Sequence, residues 1–465
     1  MIQKSALNKT MRLNVPEPVS LLCGILADAG YEAFMVGGCV RDQVLGLSPN
    51  DYDITTSCLP EETMRIFEAK GFRVIPVGLK HGTVSVLVDE VTYEITTYRS
   101  EGGYTDGRHP DEVHFLKDLK GDLERRDFTI NAMAYDPVHL KLVDHFDGID
   151  DIERKVVRAV GDPEGRFSDD YLRMLRAVRY AARFGYEIEG KTFDAVKANA
   201  VKIDKISKER VISELFKMAG ETGEKFAYAL KLLKETGLLK PILPEIDIMD
   251  EYEHDPDTHP EGGVWEHTLA TLRQNKDRDA VLNMAILFHD VGKPPTFSRE
   301  DGRIRYLCHH QIGSDMLVDI ARRLKMSGEL KEALQFAAFN HMKFHEVMVL
   351  SNHKLMCLIE SPFWSTLYRV AWCDDASRGL VDNEHWRQID ERVKALQLKY
   401  IGQKKLEEIR KVVNGPFVMG IKKIEPAPKL GEYINRTVEW ILNDSVDVAD
   451  TARIAEFVKN LELET

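Results

Sequence analysis

The sequence predicts an α+β protein: a small mixed sheet domain near the N-terminus, followed by a long all-helical remainder. Three observations carry that reading. Between residues 33 and 99, short β-branched runs recur between turn residues: AFMVGG (33–38), DYDITTS (51–57), FRVIPVG (72–78), TVSVLVD (83–89) and VTYEITTYR (91–99). From about residue 152 onward strand signals almost vanish and helical periodicity takes over. At 465 residues the chain also exceeds what one hydrophobic core normally serves. The pattern divides it into a sheet head (1–155), a helical neck (156–235), a helical body (236–385) and a helical tail (386–465). The second boundary falls in GLLKPILPEIDIMDEYEHDPDTHPEGG (237–263), where proline, glycine and acid replace periodicity.

In chain order, residues 17–30 read as a helix with Leu21, Leu22, Ile25 and Leu26 on one face and Gly30 as its stop. A strand over 33–38 leads through Gly37 and Gly38 into a second helix start, CVRDQVLG. DYDITTS and the three later runs are strands. The polar, glycine-rich segment SEGGYTDGRHPDEV (100–113) is expected to be a mobile loop. The last 80 or so residues read as amphipathic helices, and no internal repeat or low-complexity tract is present.

Composition narrows the class without choosing a function. Hydrophobic content of 43% with 30% charged residues suits a folded soluble protein. No run approaches the roughly 20 apolar residues that span a bilayer, so no membrane partner is expected. The N-terminus lacks the apolar core and cleavage site of a secretory signal. Six scattered cysteines without a CxxC pair point to reduced thiols in a cytoplasmic protein, not to a zinc knuckle or disulfide frame. A net charge of −13 does not suggest nucleic acid, but phosphate responds to the local patch, and basic residues cluster at 173–184, 197–210 and 404–411.

The informative constellation lies in the head. VGGCVRD (36–42) is followed nine residues later by DYD (51–53). A strand, a Gly37-Gly38 turn and a helix start can present backbone N–H groups to a triphosphate, with Arg41 adding charge. Asp51 and Asp53 stand at i and i+2, so on a strand both carboxylates face one side. Beside a phosphate site, such a pair suits Mg²⁺, a hard ion that prefers oxygen. Glu94, in the neighbouring strand TYEITTYR, is the candidate third carboxylate.

These motifs, with ERRDFTINAMAYD (124–136) and FSDDYLRMLRAVRYAARFGY (167–186), resemble the class II tRNA nucleotidyltransferase family, which includes CCA-adding enzymes and bacterial poly(A) polymerases. The resemblance runs from about residue 33 to 220. It implies that Gly37, Gly38 and Arg41 contact nucleotide phosphates, that Asp51 and Asp53 carry the metals, that Arg126 binds triphosphate, and that Asp127 holds the ribose or the motif's geometry. It implies an amino-acid template in DDYLR, with Asp170 and Arg173 reading the base and Arg176 and Arg179 continuing the row near the nucleotide. Physics fits that role. On a helix, Asp170 and Arg173 at i and i+3 would be neighbours, a carboxylate accepts from the exocyclic amine of C or A, and a guanidinium donates to the adjacent ring acceptor. The alternative for the arginine row is a solvated basic face. ISKERVISELF (206–216) resembles the family's last neck motif, in which Arg210 and Glu214 would stabilise helices.

Within the family, VGLKHGTVSVL (77–87) resembles the tRNA enzymes more than poly(A) polymerases, and the element at 98–113 implies full CCA addition or A addition alone. The expected partners are the tRNA acceptor arm and elbow with CTP and ATP, and no protein partner is implied. The tail segment NGPFVMGIKKIEPAPKLGEYI (414–434) resembles the elbow-gripping module.

A second chemistry is written in the body. VWEHTLATL, AILFHDVGKPPTF, YLCHHQIGSDM and AWCDDASRG (within 264–379) resemble an HD-type metal phosphohydrolase domain. The resemblance implies His267, His289, Asp290, His309 or His310, and Asp375 as ligands. Such a set suits Mn²⁺, Ni²⁺, Fe²⁺ or Zn²⁺. Lys293 is placed for a phosphate, and His341, His345 and His353 are assigned to packing. The alternatives are a decayed HD scaffold that supports tRNA, or a hydrolase as the main activity.

Overall fold

The computed structural model describes residues 11–462 except 77, 103–111, 255–261, 382, 425–427 and 444–445. By contacts the chain forms two compact units, 1–342 with 365–380, and 343–364 with 381–465.

The first unit opens with helix α1 (Glu17–Asp28), which carries Pro18 in its first turn and closes before Gly30, whose φ of +88° only glycine adopts freely. Strand β1 (Ala33–Val36), helix α2 (Gly38–Val44), β2 (Asp53–Thr56), α3 (Pro60–Ala69), β3 (Arg73–Ile75), β4 (Thr83–Val88) and β5 (Val91–Thr97) follow. Then come β6 (Arg99–Gly102), β7 (Glu112–Phe115), α4 (Leu119–Glu124), β8 (Met133–Asp136), β9 (Lys141–Asp144) and α5 (Gly148–Arg154). Seven strands form one sheet in the order β3-β4-β5-β2-β1-β8-β9. Only β2 and β5 run parallel within it. All four residues of β1 are buried because both faces of the sheet are covered. Met35 joins Leu22, Leu26, Phe67 and Ile54 on one side, and Phe34 and Val36 join Leu119, Leu123 and Tyr98 on the other.

The loop expected over 100–113 is different at its ends: β6 and β7 pair as an antiparallel ribbon, Arg99 opposite Phe115, and 103–111 lie outside the described residues. Alternation is hard to see in RSEG and EVHF, so the polar composition hid the pairing.

The helical part of this unit holds β10 (Val156–Val157), α6 (Pro163–Asp169), α7 (Leu172–Phe184), β11 (Glu187–Ile188), α8 (Gly190–Asn199), α9 (Lys208–Ala219) and α10 (Gly223–Glu235). It continues with α11 (Leu239–Ile242), α12 (Pro244–Asp247), α13 (Val264–Gln274), α14 (Ala280–Phe288), β12 (Phe297–Glu300), β13 (Arg303–Tyr306), α15 (His309–Leu324), α16 (Gly328–His345), α17 (Asn352–Ile359) and α18 (Trp364–Ser377), with α17 and the ends of α16 and α18 falling to the second unit. The β12–β13 hairpin, missed from sequence, turns on Asp301 and Gly302, both at positive φ. Its Asp-Gly pair was the available signal. One apolar cluster runs from Val19 to Cys373, so head, neck and much of the body share a core.

The second unit contains α19 (Asn383–Val412), α20 (Gly415–Lys422), α21 (Pro428–Asn443) and α22 (Thr451–Asn460). Ile409, Val413, Val418, Ile441, Ile454 and Val458 build its own small core, and Trp440 stacks on Phe457 at 4.0 Å between ring centroids. Among the described residues, no helix is long and apolar enough to cross a membrane.

Gly223 shows how tightly α10 meets α13. Its N–H donates to the Asn275 carbonyl at 3.0 Å, and an added Cβ would lie 1.7 Å from the Leu272 carbonyl oxygen. Gly223→Ala is expected to cost about 3 kcal/mol, the upper range for forced overpacking. A urea midpoint unchanged from wild type would refute that close approach.

Candidate active site and a buried histidine–aspartate cluster

The strand-to-helix turn is built as its sequence suggested. Gly37 has φ +80°, and a Cβ there would strike an Arg126 terminal nitrogen at 2.7 Å. Glycine is therefore required both for backbone conformation and for the guanidinium lying against the turn. Asp53 begins β2, Asp51 lies two residues earlier, and β2 runs parallel to β5 with Ile54 opposite Ile95. One step back along that register Asp53 and Glu94 lie side by side, and all three acids are exposed. Desolvation raises the Asp53 pKa, Arg126 lowers it and Asp51 raises it again, with a net upward shift. A carboxylate whose charge is penalised in this way gains from a cation. The oxygen donors fit Mg²⁺.

Arg41 differs from expectation. It is 4% exposed, its guanidinium bonds Asp42 at 2.6 and 2.8 Å and also donates to Asn131, and it lies over the rings of Tyr180 and Phe184. It braces the turn from behind and does not face the open side. Asn131 in turn donates to Asp127 at 3.0 Å, and Asp127 accepts from Arg176 at 2.7 Å. Although burial opposes it, Arg176, Asn131 and Arg173 hold the Asp127 carboxyl well below the usual carboxylate range. A continuous buried chain thus joins the phosphate turn to helix α7.

The arginine row is not a solvated face. Arg173 is buried, Arg176 pairs with Asp127 at 2.6 Å, Arg179 with Glu214 at 2.6 Å, and Arg183 lies 3.8 Å from both Asp42 and Glu221. Each guanidinium has its own carboxylate.

The template pair also departs from the helical picture. Asp170 is not helical: at φ −154° and ψ 105° it breaks the chain between α6 and α7. Its carboxylate accepts from Arg210 at 2.6 Å, while Arg173 donates to the Asp169 carboxylate at 3.4 Å and the Arg166 carbonyl at 3.2 Å. Asp169 therefore helps orient Arg173. Beside the pair, a cavity of about 680 Å³ is lined by Leu172, Arg176, Arg210, Ser213, Glu214 and Lys217, among others.

In the body, two groups of ligand atoms each lie within 4.8 Å of one another: His267, His289 and Asp374, and Asp290, His309 and His341. All six residues are buried. Asp290 stands between the groups. Its Oδ2 is 3.1 Å from His289 Nε2 and 3.7 Å from His267 Nε2, and its Oδ1 is 3.4 Å from His309 and 3.5 Å from His341. The Nδ1 atoms of His289, His309 and His341 each contact a backbone carbonyl at 2.7–2.8 Å, which turns each Nε2 inward. Burial pushes the His309 pKa down to about 4 and lowers that of His341, so both imidazoles are neutral at neutral pH. Gly292 permits the approach: a Cβ there would meet the His309 carbonyl oxygen at 2.1 Å.

Two assignments change. Asp374, not Asp375, faces His267 at 3.1 Å, whereas Asp375 pairs with Arg378 at 2.8 Å. His341, read as packing, belongs to the cluster, and of the adjacent pair it is His309 that enters it, not His310. The side chains of His345 and His353 lie outside the described residues. Lys293 reaches Asp290 at 2.6 Å and lies 3.0 Å from His254, which sequence reasoning missed.

Residues 33–158 match the family described as "Poly A polymerase head domain", and 185–249 match "Probable RNA and SrmB-binding site of polymerase A". A CCA-adding enzyme of Lactobacillus helveticus is 50% identical over 193 residues, 42% of this chain and 47% of its own length. That of Lactobacillus johnsonii is 44% identical over 232 residues, 49% and 56% of the two chains. The chain thus spans about half the length of the curated relatives it matches. The crystal structure of the Bacillus stearothermophilus CCA-adding enzyme with CTP aligns over 95% of this chain and 98% of its own, at 26% identity and a TM-score of 0.57. Over residues 33–158 and 185–249, the chain resembles the class II tRNA nucleotidyltransferase and poly(A) polymerase family.

The residues that sequence could not supply are the connectors. Asn131 and Asp122 are buried, and Asp122 binds Arg125 at 2.9 Å and lies 3.6 Å from Arg126. Nothing in their local sequence marks them. Asp127→Asn leaves the partly exposed Arg176 without its counter-charge and is expected to destabilise the protein by about 1.5–3 kcal/mol. The folded pKa of Asp127 lies below the unfolded value of about 3.9, so its contribution is complete above that pH and is lost as pH falls. Stability measured from pH 7 to pH 3 should therefore fall less steeply in the variant; parallel curves would refute the linkage.

Proposed function

We propose that the protein is a template-independent tRNA nucleotidyltransferase that adds CCA to tRNA 3′ ends from CTP and ATP. The observation that carries this is the buried Asn131–Asp127–Arg176 chain, which ties the phosphate turn to the helix bearing Arg173. The printed names of the curated relatives favour CCA addition over addition of A alone or poly(A) synthesis. Reduced thiols among the free cysteines accord with a cytoplasmic enzyme.

Asp51, Asp53 and Glu94 would hold Mg²⁺, which when bound supplies Lewis-acid stabilisation of the phosphoryl oxygens. The Gly37–Gly38 turn and Arg126 hold the triphosphate. The tRNA 3′-hydroxyl oxygen attacks the α-phosphorus and loses its proton, the bond to the bridging β-oxygen breaks, and pyrophosphate leaves. Asp170 accepts from the exocyclic amine of C or A and Arg173 donates to the neighbouring ring acceptor; U and G leave these groups unpaired and are rejected. Exposed Lys197, Lys202, Lys205 and Lys217 would meet RNA phosphates, and the tail would hold the tRNA elbow.

The body supports a second reading, a divalent-metal phosphohydrolase site for Mn²⁺, Ni²⁺, Fe²⁺ or Zn²⁺. It is favoured by inward-facing imidazoles arranged on both oxygens of Asp290.

Transcripts ending at the discriminator base, at C and at CC should all be extended to CCA when CTP and ATP are supplied with Mg²⁺. Extension of the last alone by one A would make the protein an A-adding enzyme, and a long A ladder a polymerase. Asp51→Ala with Asp53→Ala should abolish addition while tRNA binding, read by filter retention, persists; retained addition would remove the metal assignment. For the body, elemental analysis of the purified protein should find transition metal that His289→Ala with Asp290→Ala eliminates, with addition spared. Metal content unchanged by that variant would refute the cluster as its site.

A further inference from the structure

We propose that Arg210 is a positioning residue for nucleotide selection, holding the plane of the Asp170 carboxylate so that only an amine-bearing base edge fits it; this rests on the reading of Asp170 as a base reader. The two side chains come from different elements. Asp170 lies in the extended break between α6 and α7, and Arg210 in the first turn of α9. The Arg210 guanidinium grips the carboxylate as a fork, Nη2 to Oδ2 at 2.6 Å and Nη1 to Oδ1 at 3.3 Å. The Leu172 N–H also donates to Oδ1 at 3.0 Å. Oδ1 thus accepts two bonds and Oδ2 one, which leaves an acceptor direction on Oδ2 for a base amine. A bidentate Arg–carboxylate pair adds geometric specificity as well as strength.

The pair is neither fully buried nor loose, its side chains being 22% and 14% exposed. Arg210 also lines the cavity of about 680 Å³ beside the template residues. It is therefore at the recognition site and not merely under it. One helical turn on, Glu214 takes Arg179 of α7 at 2.6 Å. Helix α9 thus presents a cation and then an anion, at i and i+4, to an anion and a cation of the α6–α7 arm. Sliding α9 by one turn would set like charges opposite each other, so the register that places Arg210 is specified by charge. Without the fork, the Asp170 carboxyl retains only the Leu172 N–H and is free to turn. A turning carboxyl can receive U or G through water, and the mismatch that rejects them is relaxed.

The test is single-nucleotide addition to discriminator-ending and CC-ending tRNA transcripts, with all four nucleoside triphosphates, by Arg210→Ala, Arg210→Lys and Asp170→Ala. For Arg210→Ala, the KM for CTP and ATP should rise about tenfold with kcat within about threefold, and the CTP-over-UTP ratio of kcat/KM should fall at least tenfold, about the effect of one lost charge-assisted contact. Arg210→Lys keeps the charge without the fork, so it should recover part of the KM and little of the selectivity. If Arg210→Ala proves unfolded by circular dichroism, Arg210→Gln serves in its place. Unchanged selectivity with a uniform loss of kcat or of thermal stability would make Arg210 a strut between helices and overturn the inference. Intact selectivity in Asp170→Ala would instead remove the base-reading assignment itself, so the two failures are told apart.

Discussion

The ion pair between buried Asp127 and partly exposed Arg176 is the contact on which the rest of this site depends. Burying a carboxylate is costly unless it is fully bonded. Here Asp127 takes Asn131, its neighbour's N–H and Arg176, and Arg176 also reaches the Tyr180 hydroxyl at 3.3 Å. Through Asn131 the same network reaches Arg41 and the Gly37–Gly38 turn. A sheet that can hold phosphate and a helix that can read a base are useless if they move independently by an ångström. The pair supplies the registration, and the apolar core shared from Val19 to Cys373 supplies the stiffness behind it.

The same logic explains which parts were legible in the sequence. The glycine turn and the strands around it follow from local period and turn chemistry, whereas β2 begins only at Asp53 and leaves Asp51 before the strand. Asp170 does not follow from those rules, because a three-residue spacing was read as helical where the chain breaks between two helices. Local spacing cannot report a break that is held by a partner 40 residues away. Asp374 and Asp375 illustrate a finer limit. Adjacent residues on a helix differ by about 100° in direction, so choosing between them needs the position of His267, not the motif. His341 was lost for a related reason, since one histidine on an amphipathic helix looks like packing until the histidines of other helices are seen to meet it.

Charge is organised in opposite ways at the two sites. In the head, every arginine of the α7 row is matched to a carboxylate, so little net positive charge is left along it. In the body, Asp290 is surrounded by imidazoles, with Lys293 as its close cationic partner. A lysine 7% exposed and 2.6 Å from that carboxylate competes for the charge that a divalent ion would neutralise. Loading such a centre with metal therefore involves displacement of an ammonium as well as ligation, which ties affinity for metal to the freedom of Lys293 to move.

This arrangement would also reconcile an acidic protein with the proposed RNA substrate. A net charge of −13 would repel a polyanion if it were spread evenly. The arginines of 173–184, read from sequence as a basic patch, are internally neutralised and have little left for phosphate. Lys197, Lys202, Lys205 and Lys217 of α8, α9 and the segment between them are exposed, and Lys217 also lines the cavity. In the proposed reaction, long-range attraction would fall to surface lysines and selection to paired, largely shielded groups. Weak electrostatic attraction with strong local geometry would suit release and regripping of one RNA end between successive additions.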